Sequence, residues 1–419
     1  MNFTSNNLQL DFTDIQGFDS NKNLLHNILM VVGNGFDISV LKHLGISGST
    51  TYQSFFYYLK SIGFYSENAL FHTMDELRKK SESEENTTGK YSNWCDFEAQ
   101  LEDILIKRTY GIYQLGDDLA EIQAQFSRFL NQTVNSDVVN LLDTQVSEHN
   151  WSINTFTNFL MDLPKHEYEK TALPLTCNHF DIFNFDVVNL NFTPLLDCYL
   201  YLDRNQHEPK MKTVDRNFLF RRNGNNFPYS EEILRDLNAD FPSRKFYGPD
   251  DKTGCSSYLI TDVHHPHGQQ DIPRSLLFGI DGEEFSDVDS DHKQFSKPYW
   301  AQLSRKFLPK IKSAQTFILF GTSLGHTDRW WWSHILESAN EKKYSDIIIY
   351  KYDSTTPPDE KINDYRDSFI EEYLPEDLKK SPHVGQVFAD LQRKTHVIHY
   401  SDPRSLNAFG FKEVDETSR

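Results

Sequence analysis

Five short stretches carry residue types that could do chemistry. They are Gly33-Asn34-Gly35, Asn191-x-Thr193, His267-Gly268, Phe278-Gly279 and Gly321-Thr322-Ser323, and each falls near the end of a segment that reads as a strand. Glycines accept φ > 0 and let a backbone approach another group closely. A buried strand that ends in such a turn and leads into a helix is how open α/β sheets build phosphate and nucleotide sites. In a parallel sheet the strand C-termini share one edge, so small, polar or titratable residues at several strand ends point to one ligand site. The Gly33-x-Gly35 turn has no third glycine three residues on, so the dinucleotide fingerprint is incomplete.

Other candidates carry a structural and a chemical alternative each. His267 is either a loop histidine or a proton-transfer group. Its neighbours His264 and His265 raise the question of a metal, but a trio broken by Pro266 is poorly spaced and no acidic pattern completes it, so no metal is expected. Asn191 at a strand end is a turn former or a ligand contact. Asp37 and Asp328 are either helix caps or part of the site, and Glu98 either complements a helix dipole or faces the ligand. Arg329 and His334 match the loose Arg–His spacing of some helical ribonucleases, while Trp330–Trp332 suit packing of that helix on a sheet.

The elements that must position these residues follow from periodicity. Ile28–Val32, Phe185–Phe192, Ser256–Ile260, Leu276–Ile280, Thr316–Phe320, Ile347–Tyr350 and His396–His399 read as strands. Ile28–Val32 and Thr316–Phe320 are continuous apolar runs, the pattern of strands buried on both faces. A helix begins near Thr51, with Ser49 or Thr50 as its N-cap. Residues 66–92 read as an exposed charged loop. Phe97, Leu101 and Ile104, then Leu115, Leu119, Ile122, Phe126 and Phe129, recur at steps of three and four, giving two helices broken near Gly111–Gly116. More helix fills 135–162, and Trp300–Leu308 suits another. Strand and helix alternate over much of the chain, which predicts an α/β fold with a Rossmann-like, mostly parallel sheet and a large helical insertion. The expected organisation is an N-terminal arm at 1–24, a discontinuous Rossmann-like domain at 25–60 and 171–419, and a helical insertion at 61–170.

Bulk composition narrows the function classes. The 419 residues carry a formal net charge of −19, which argues against general binding along a nucleic-acid duplex. Residues 1–24 lack the basic flank and apolar core of a signal peptide, and no apolar run reaches the length of a membrane span. Cys95, Cys177, Cys198 and Cys255 form no C-x-x-C pair, which suits neither a zinc ribbon nor a disulfide framework and fits a reducing cytoplasm.

Val32-Gly33-Asn34-Gly35-Phe36-Asp37 followed by Thr51-Tyr52-x-x-Phe55 resembles the opening of the phage abortive-infection AbiH family. Trp94-x-Asp96-Phe97-Glu98, Asn191-Phe192-Thr193, His267-Gly268 and Gly321-x-Ser323-Leu324-Gly325-x-x-Asp328 fit that family in order. The same order is similar to that of sirtuin-like NAD-binding domains. The resemblance implies an NAD+ site with Asn191 and His267 as the catalytic pair. It further implies ligand contacts from Gly33, Asn34, Gly35, Phe36, Asp37, Thr193, Gly279, Gly321, Thr322, Ser323 and Asp328. Gly33–Gly35 and Gly321–Ser323 would hold phosphates through backbone N–H and hydroxyl groups. The bond between ribose and nicotinamide breaks through an oxocarbenium-like state, so Asn191 would orient water or ribose hydroxyls and a neutral His267 would take the proton. The four-cysteine zinc module of sirtuin deacylases is absent, so deacylation is not expected. Ile280 stands where a Glu follows Phe-Gly, with acids displaced to Asp281, Glu283 and Glu284, and Phe192 replaces the usual Tyr. The expectation is an NAD+-hydrolysing defence protein that forms a homo-oligomer or joins a partner defence protein, and that is held off by oligomerisation or by the helical insertion. Its alternatives are a nucleotide-sensing binding module and a ribonuclease using Arg329 and His334.

Overall fold

The computed structural model describes residues 24–64, 67–83, 95–173, 177, 181–201, 219–220, 239, 255–256, 258–281, 295–355 and 359–412. Nearly all of the N-terminal arm, Trp94, Glu283 and Glu284 lie outside them. The chain begins with β1 (Leu25–Val32), α1 (Gly35–His43), α2 (Tyr52–Ser61), α3 (Ala69–Ser83), α4 (Phe97–Lys107) and α5 (Ile112–Thr133). It continues with α6 (Ser136–His149), α7 (Trp151–Thr157), β2 (Ile182–Asn189), α8 (Leu195–Leu200), β3 (Leu219–Phe220), β4 (Cys255–Ser256) and β5 (Tyr258–His264). After these come α9 (Leu308–Ser313), β6 (Thr316–Phe320), α10 (Arg329–Glu341), β7 (Asp346–Tyr352), α11 (Asp359–Tyr373), α12 (Val384–Lys394) and β8 (Thr395–Tyr400).

Six strands form one parallel sheet in the order β5-β2-β1-β6-β7-β8, and β3 and β4 make a separate antiparallel ribbon. Renumbered within the sheet, that order is 3-2-1-4-5-6, the order of dinucleotide-binding folds. The chain starts in the middle, builds outward to one side, then crosses over β1 and builds to the other. Its topological switch point therefore lies between β1 and β6, where Ile28 to Val32 pair with Thr316 to Phe320.

Both sheet faces are covered, which explains the unbroken apolar runs. Ile28, Met30 and Val32 face one core with α1, α6, α7 and α8, while Leu29 and Val31 face a second core with α9, α10, α11 and α12. Trp330, Trp331 and Trp332 are all buried, packing α10 on the sheet as expected. Helices α2 to α5 share a third, Phe-rich core built from Phe55, Phe56, Phe97, Phe126 and Phe129, closed by Phe192, Leu276, Phe278 and Ile280.

Several local expectations are corrected. The charged stretch expected as a loop from residue 66 contains α3, whose face bearing Ala69, Leu70 and Met74 is buried against the Phe-rich core; residues 84–92 lie outside the described set. Leu276–Ile280 is not a strand. It follows a short 3-10 turn, makes only an isolated bridge from Ile280 to Ser296, and spends Leu276, Phe278 and Ile280 on the helical core. The helical break falls at residues 108–111, so Gly116 lies inside α5. Thr51, not Ser49 or Thr50, caps α2 by accepting from Ser54 N–H. The stretch expected as one helix over 300–308 is helical in pieces: one-turn helices at Lys297–Trp300 and Leu303–Lys306 are separated at Gln302, whose φ is 52°.

Candidate functional site

At the switch point the backbone turns after β1 and β6 touch. Gly33 N–H donates to the Phe320 carbonyl at 2.9 Å and Gly35 N–H to the Gly321 carbonyl at 2.8 Å. A Cβ on Gly33 would stand 2.8 Å from the Gly321 oxygen, and one on Gly321, whose φ is +65°, would stand 2.7 Å from the Phe36 nitrogen. The three glycines thus serve one packing contact that joins the two halves of the sheet. The Gly33 and Gly35 amides are spent on it, so they are not phosphate donors here. A ligand would meet the neighbouring Asn34 and the Thr322 and Ser323 side chains instead.

Above this contact opens a cavity of about 570 Å³. Its walls include Gly33, Asn34, Gly35, Asp37, Asn191, Thr193, His267, Gly321, Thr322, Ser323 and Asp328, joined by Glu98 and Tyr52 from the helical part. Phe36 and Gly279 do not line it. The Phe36 ring is turned into the core against Tyr199, Phe320 and Phe409. Gly279 lies under the Phe295–Lys297 backbone, where a Cβ would come within 2.4 Å of the Phe295 oxygen and 2.9 Å of Lys297 Cγ.

Two polar clusters shape the cavity wall. In the first, Asn191 Nδ2 donates to Gly33 O at 3.1 Å and to Asp37 Oδ1 at 3.0 Å, and Thr193 Oγ1 donates to Asp37 Oδ2 at 2.7 Å. With both amide hydrogens engaged, Asn191 can meet a ligand only through Oδ1. Asp37 is not the cap of α1; burial raises its carboxyl to about 7 despite the Thr193 and Asn191 donors that pull it down. Asn34 is tied to Thr50, whose hydroxyl donates to its Oδ1 at 2.6 Å.

In the second cluster, His267 Nδ1 lies 3.2 Å from the Leu190 carbonyl. A carbonyl only accepts, so the hydrogen sits on Nδ1 and Nε2 carries the lone pair. That Nε2 is 3.5 Å from Asp328 Oδ1. Burial, then the charge of Lys297, push the imidazole down to about 4, with Asp328 and the Leu190 carbonyl opposing. Lys297, 2% exposed, donates to Asp328 Oδ1 at 2.7 Å and to Glu98 Oε2 at 2.9 Å. Burial disfavours the Lys297 charge, but Asp328 and Glu98 outweigh it and hold the ammonium firmly protonated. Burial raises Glu98 to about 7 against the pull of Lys297, whereas for Asp328 Lys297 and His267 overcome burial and hold the carboxyl low.

Asp328 does not cap α10. Asp281 does, accepting Trp330 N–H at 2.6 Å, so the acid displaced beyond Phe278-Gly279-Ile280 has a structural place. Asp96 caps α4, accepting from the backbone N–H groups of Glu98 and Ala99. The three clustered histidines separate: His264 pairs with Asp186, His265 with Asp197, and His267 alone reaches the cavity. In the grouping of Asp186, Asp262 and His264, Asp186 is also paired with Lys310. Arg329 and His334 do not line the cavity, and five residues apart on a helix their side chains diverge by roughly 140°; His334 stacks on Trp330. Lys297 escaped sequence reasoning, because a lone lysine after an unpatterned stretch gives no signal. Of Tyr350, Tyr352 and Tyr400, which also line the cavity, only Tyr350 was legible, as the end of a strand; Tyr352 and Tyr400 stand just past the strand ends expected from sequence.

Fold and site together define a Rossmann-order α/β protein with a cavity at the sheet's switch point. The sequence profile described as "Bacteriophage abortive infection AbiH" matches residues 29–350, and the chain belongs to that family. The match runs from within β1 to within β7 and includes the cavity residues singled out above except Tyr352 and Tyr400. The family places the chain in the abortive response to phage. No curated protein matches it. Among the described residues, no helix is long and apolar enough to cross a membrane.

Proposed function

We propose that the switch-point cavity binds NAD+ and hydrolyses it to nicotinamide and ADP-ribose, depleting the cofactor during infection. One observation carries this reading: His267, its tautomer fixed by the Leu190 carbonyl, and Asn191, its amide plane fixed by Asp37 and Gly33 O, both line a cavity at the 3-2-1-4-5-6 switch point. Its volume lies within the ~300–1,000 Å³ of small-molecule sites. The sirtuin-like order of Asn191, His267 and Gly321-Thr322-Ser323 supports the same assignment.

The chemistry asks little of the protein. The C–N bond between ribose and nicotinamide breaks with its electron pair leaving on the neutral base. Water adds to the oxocarbenium-like C1′, and its proton passes to His267 Nε2. Water bonded to such a carbon is strongly acidic, so an imidazole of low basicity suffices. Asn191 Oδ1 accepts from the attacking water or a ribose hydroxyl, and Asp37 and Gly33 O fix the plane of its amide.

Purified protein incubated with NAD+ and followed by mass spectrometry is expected to accumulate nicotinamide and ADP-ribose. His267→Ala and Asn191→Ala are each expected to lower kcat by at least ~10²-fold. A wild-type protein that binds NAD+ in a calorimeter but yields no product would replace this reading with a nucleotide sensor. The engagement of both Asn191 amide hydrogens within the fold is the feature that favours that second reading.

A further inference from the structure

Lys297 is placed with unusual care for a lysine. Its backbone N–H donates to Ile280 O at 2.9 Å, while Ile280 N–H donates to Phe295 O, so residues 280 and 295–297 are laced together. The hydrogen at Gly279 leaves room for the Lys297 stem, where a Cβ would press Cγ at 2.9 Å. The ammonium is then delivered between a carboxylate of the helical part, Glu98 on α4, and Asp328 at the start of α10. The same Asp328 oxygen, Oδ1, lies 3.5 Å from His267 Nε2. A lysine stem has four rotatable carbons and normally samples many conformers, so fixing it in this way points to a use for its charge.

We propose that Lys297 is a positioning residue for the reaction in this cavity: it holds the Asp328 carboxylate in place beside His267 Nε2 while neutralising it, so that the imidazole stays unprotonated and able to accept a proton. The proposal rests on the NAD+-cleaving reading of the same site. The mechanism is electrostatic. An unshielded Asp328 at 3.5 Å would draw a proton onto Nε2 and form a resting imidazolium–carboxylate pair, which cannot act as a base. Lys297 removes that pull by pairing with the same Asp328 oxygen and adding a positive charge of its own. Glu98 balances the remaining charge of Lys297 from the helical part, with Asp96 and Tyr52 the further titratable groups facing it. The direction of the His267 shift, downward through burial and Lys297, agrees with this arrangement. One consequence is that α4 helps set the state of the imidazole without carrying a reacting group.

The test uses full-length protein and two readouts. Imidazole C–H resonances are titrated by NMR, with His267 assigned by its loss in His267→Ala, and the pH profile of kcat/KM is measured with NAD+. Lys297→Met is expected to raise the His267 midpoint, and with it the acid limb of the profile, by about one unit or more. Glu98→Gln, which leaves the cation in place, is expected not to raise either. If Lys297→Met does not fold, Lys297→Gln, which keeps hydrogen-bonding capacity and loses the charge, carries the same expectation. An unchanged His267 midpoint on removal of the Lys297 charge overturns the proposal. So does an equal upward shift in Glu98→Gln, which would mean general loosening. A shifted midpoint in a protein that never turns over NAD+ supports the Lys297 assignment and overturns NAD+ cleavage, so the two failures are separable.

Discussion

At the scale of single residues, the site is defined by where hydrogens must go. The Leu190 carbonyl fixes the His267 tautomer, and Asp37 with Gly33 O consumes both Asn191 donors. Asp37 accepts at both oxygens, yet burial raises its carboxyl from the usual 3.8 to about 7. Between those two values the folded protein binds more protons than the unfolded chain, so this group's contribution to stability falls as pH rises. Asp37→Asn does not titrate. The difference in Tm, variant minus wild type, is therefore expected to move in favour of Asp37→Asn from pH 4 to pH 8. A difference that stays flat across that range would show that Asp37 is not held as described. Asn191 and Thr193 were legible in the sequence because they follow the apolar stretch of β2, and His267 because its His-Gly pair falls in order with the other strand-end motifs. Lys297 was not, because its role depends on Gly279 and on two carboxylates about 200 and 31 residues away.

At the scale of elements, periodicity was a good guide wherever one face had to be buried, and a poor guide to ends and caps. β1, β6, β7 and β8 stand close to the apolar runs that announce them. Leu276–Ile280 reads like a strand because its apolar content is the same, but Leu276, Phe278 and Ile280 answer to the helical core, and only Leu277 turns to a sheet-side core. The cap of α10 shows the same limit. Asp328 stands in the sequence where a cap should, yet the bond to Trp330 N–H comes from Asp281, 49 residues upstream. Asp281→Ala is accordingly expected to lower stability by about 1 kcal/mol, the ordinary worth of a helix N-cap. Asp328→Asn is expected to leave the α10 start intact in hydrogen-exchange measurements. Early exchange of the first α10 amides in Asp328→Asn but not in Asp281→Ala would reverse that assignment.

At the scale of the whole molecule, the strand alternation announced a parallel sheet but could not give its order. Order is decided by which crossovers pack, and that information is spread over the apolar faces of helices far apart in the chain. The observed order puts β1 in the middle and divides the cavity wall between two half-sheets: Asn191 and His267 on the β5-β2-β1 side, Thr322, Ser323, Tyr350 and Tyr400 on the β6-β7-β8 side. A ligand with two separated halves fits such a division better than a mononucleotide does. The helices α2 to α5 complete the wall with Glu98 and Tyr52, so the helical part is a component of the site and not an appendage to it. The most direct measurement is a structure of the His267→Ala protein with NAD+. The account predicts the pyrophosphate across the Gly33–Gly321 junction, with the ribose C1′ that bears nicotinamide beside Asn191 Oδ1 and the vacated imidazole position. A dinucleotide bound with C1′ over Tyr350 and Tyr400, or bound outside this cavity, would contradict it.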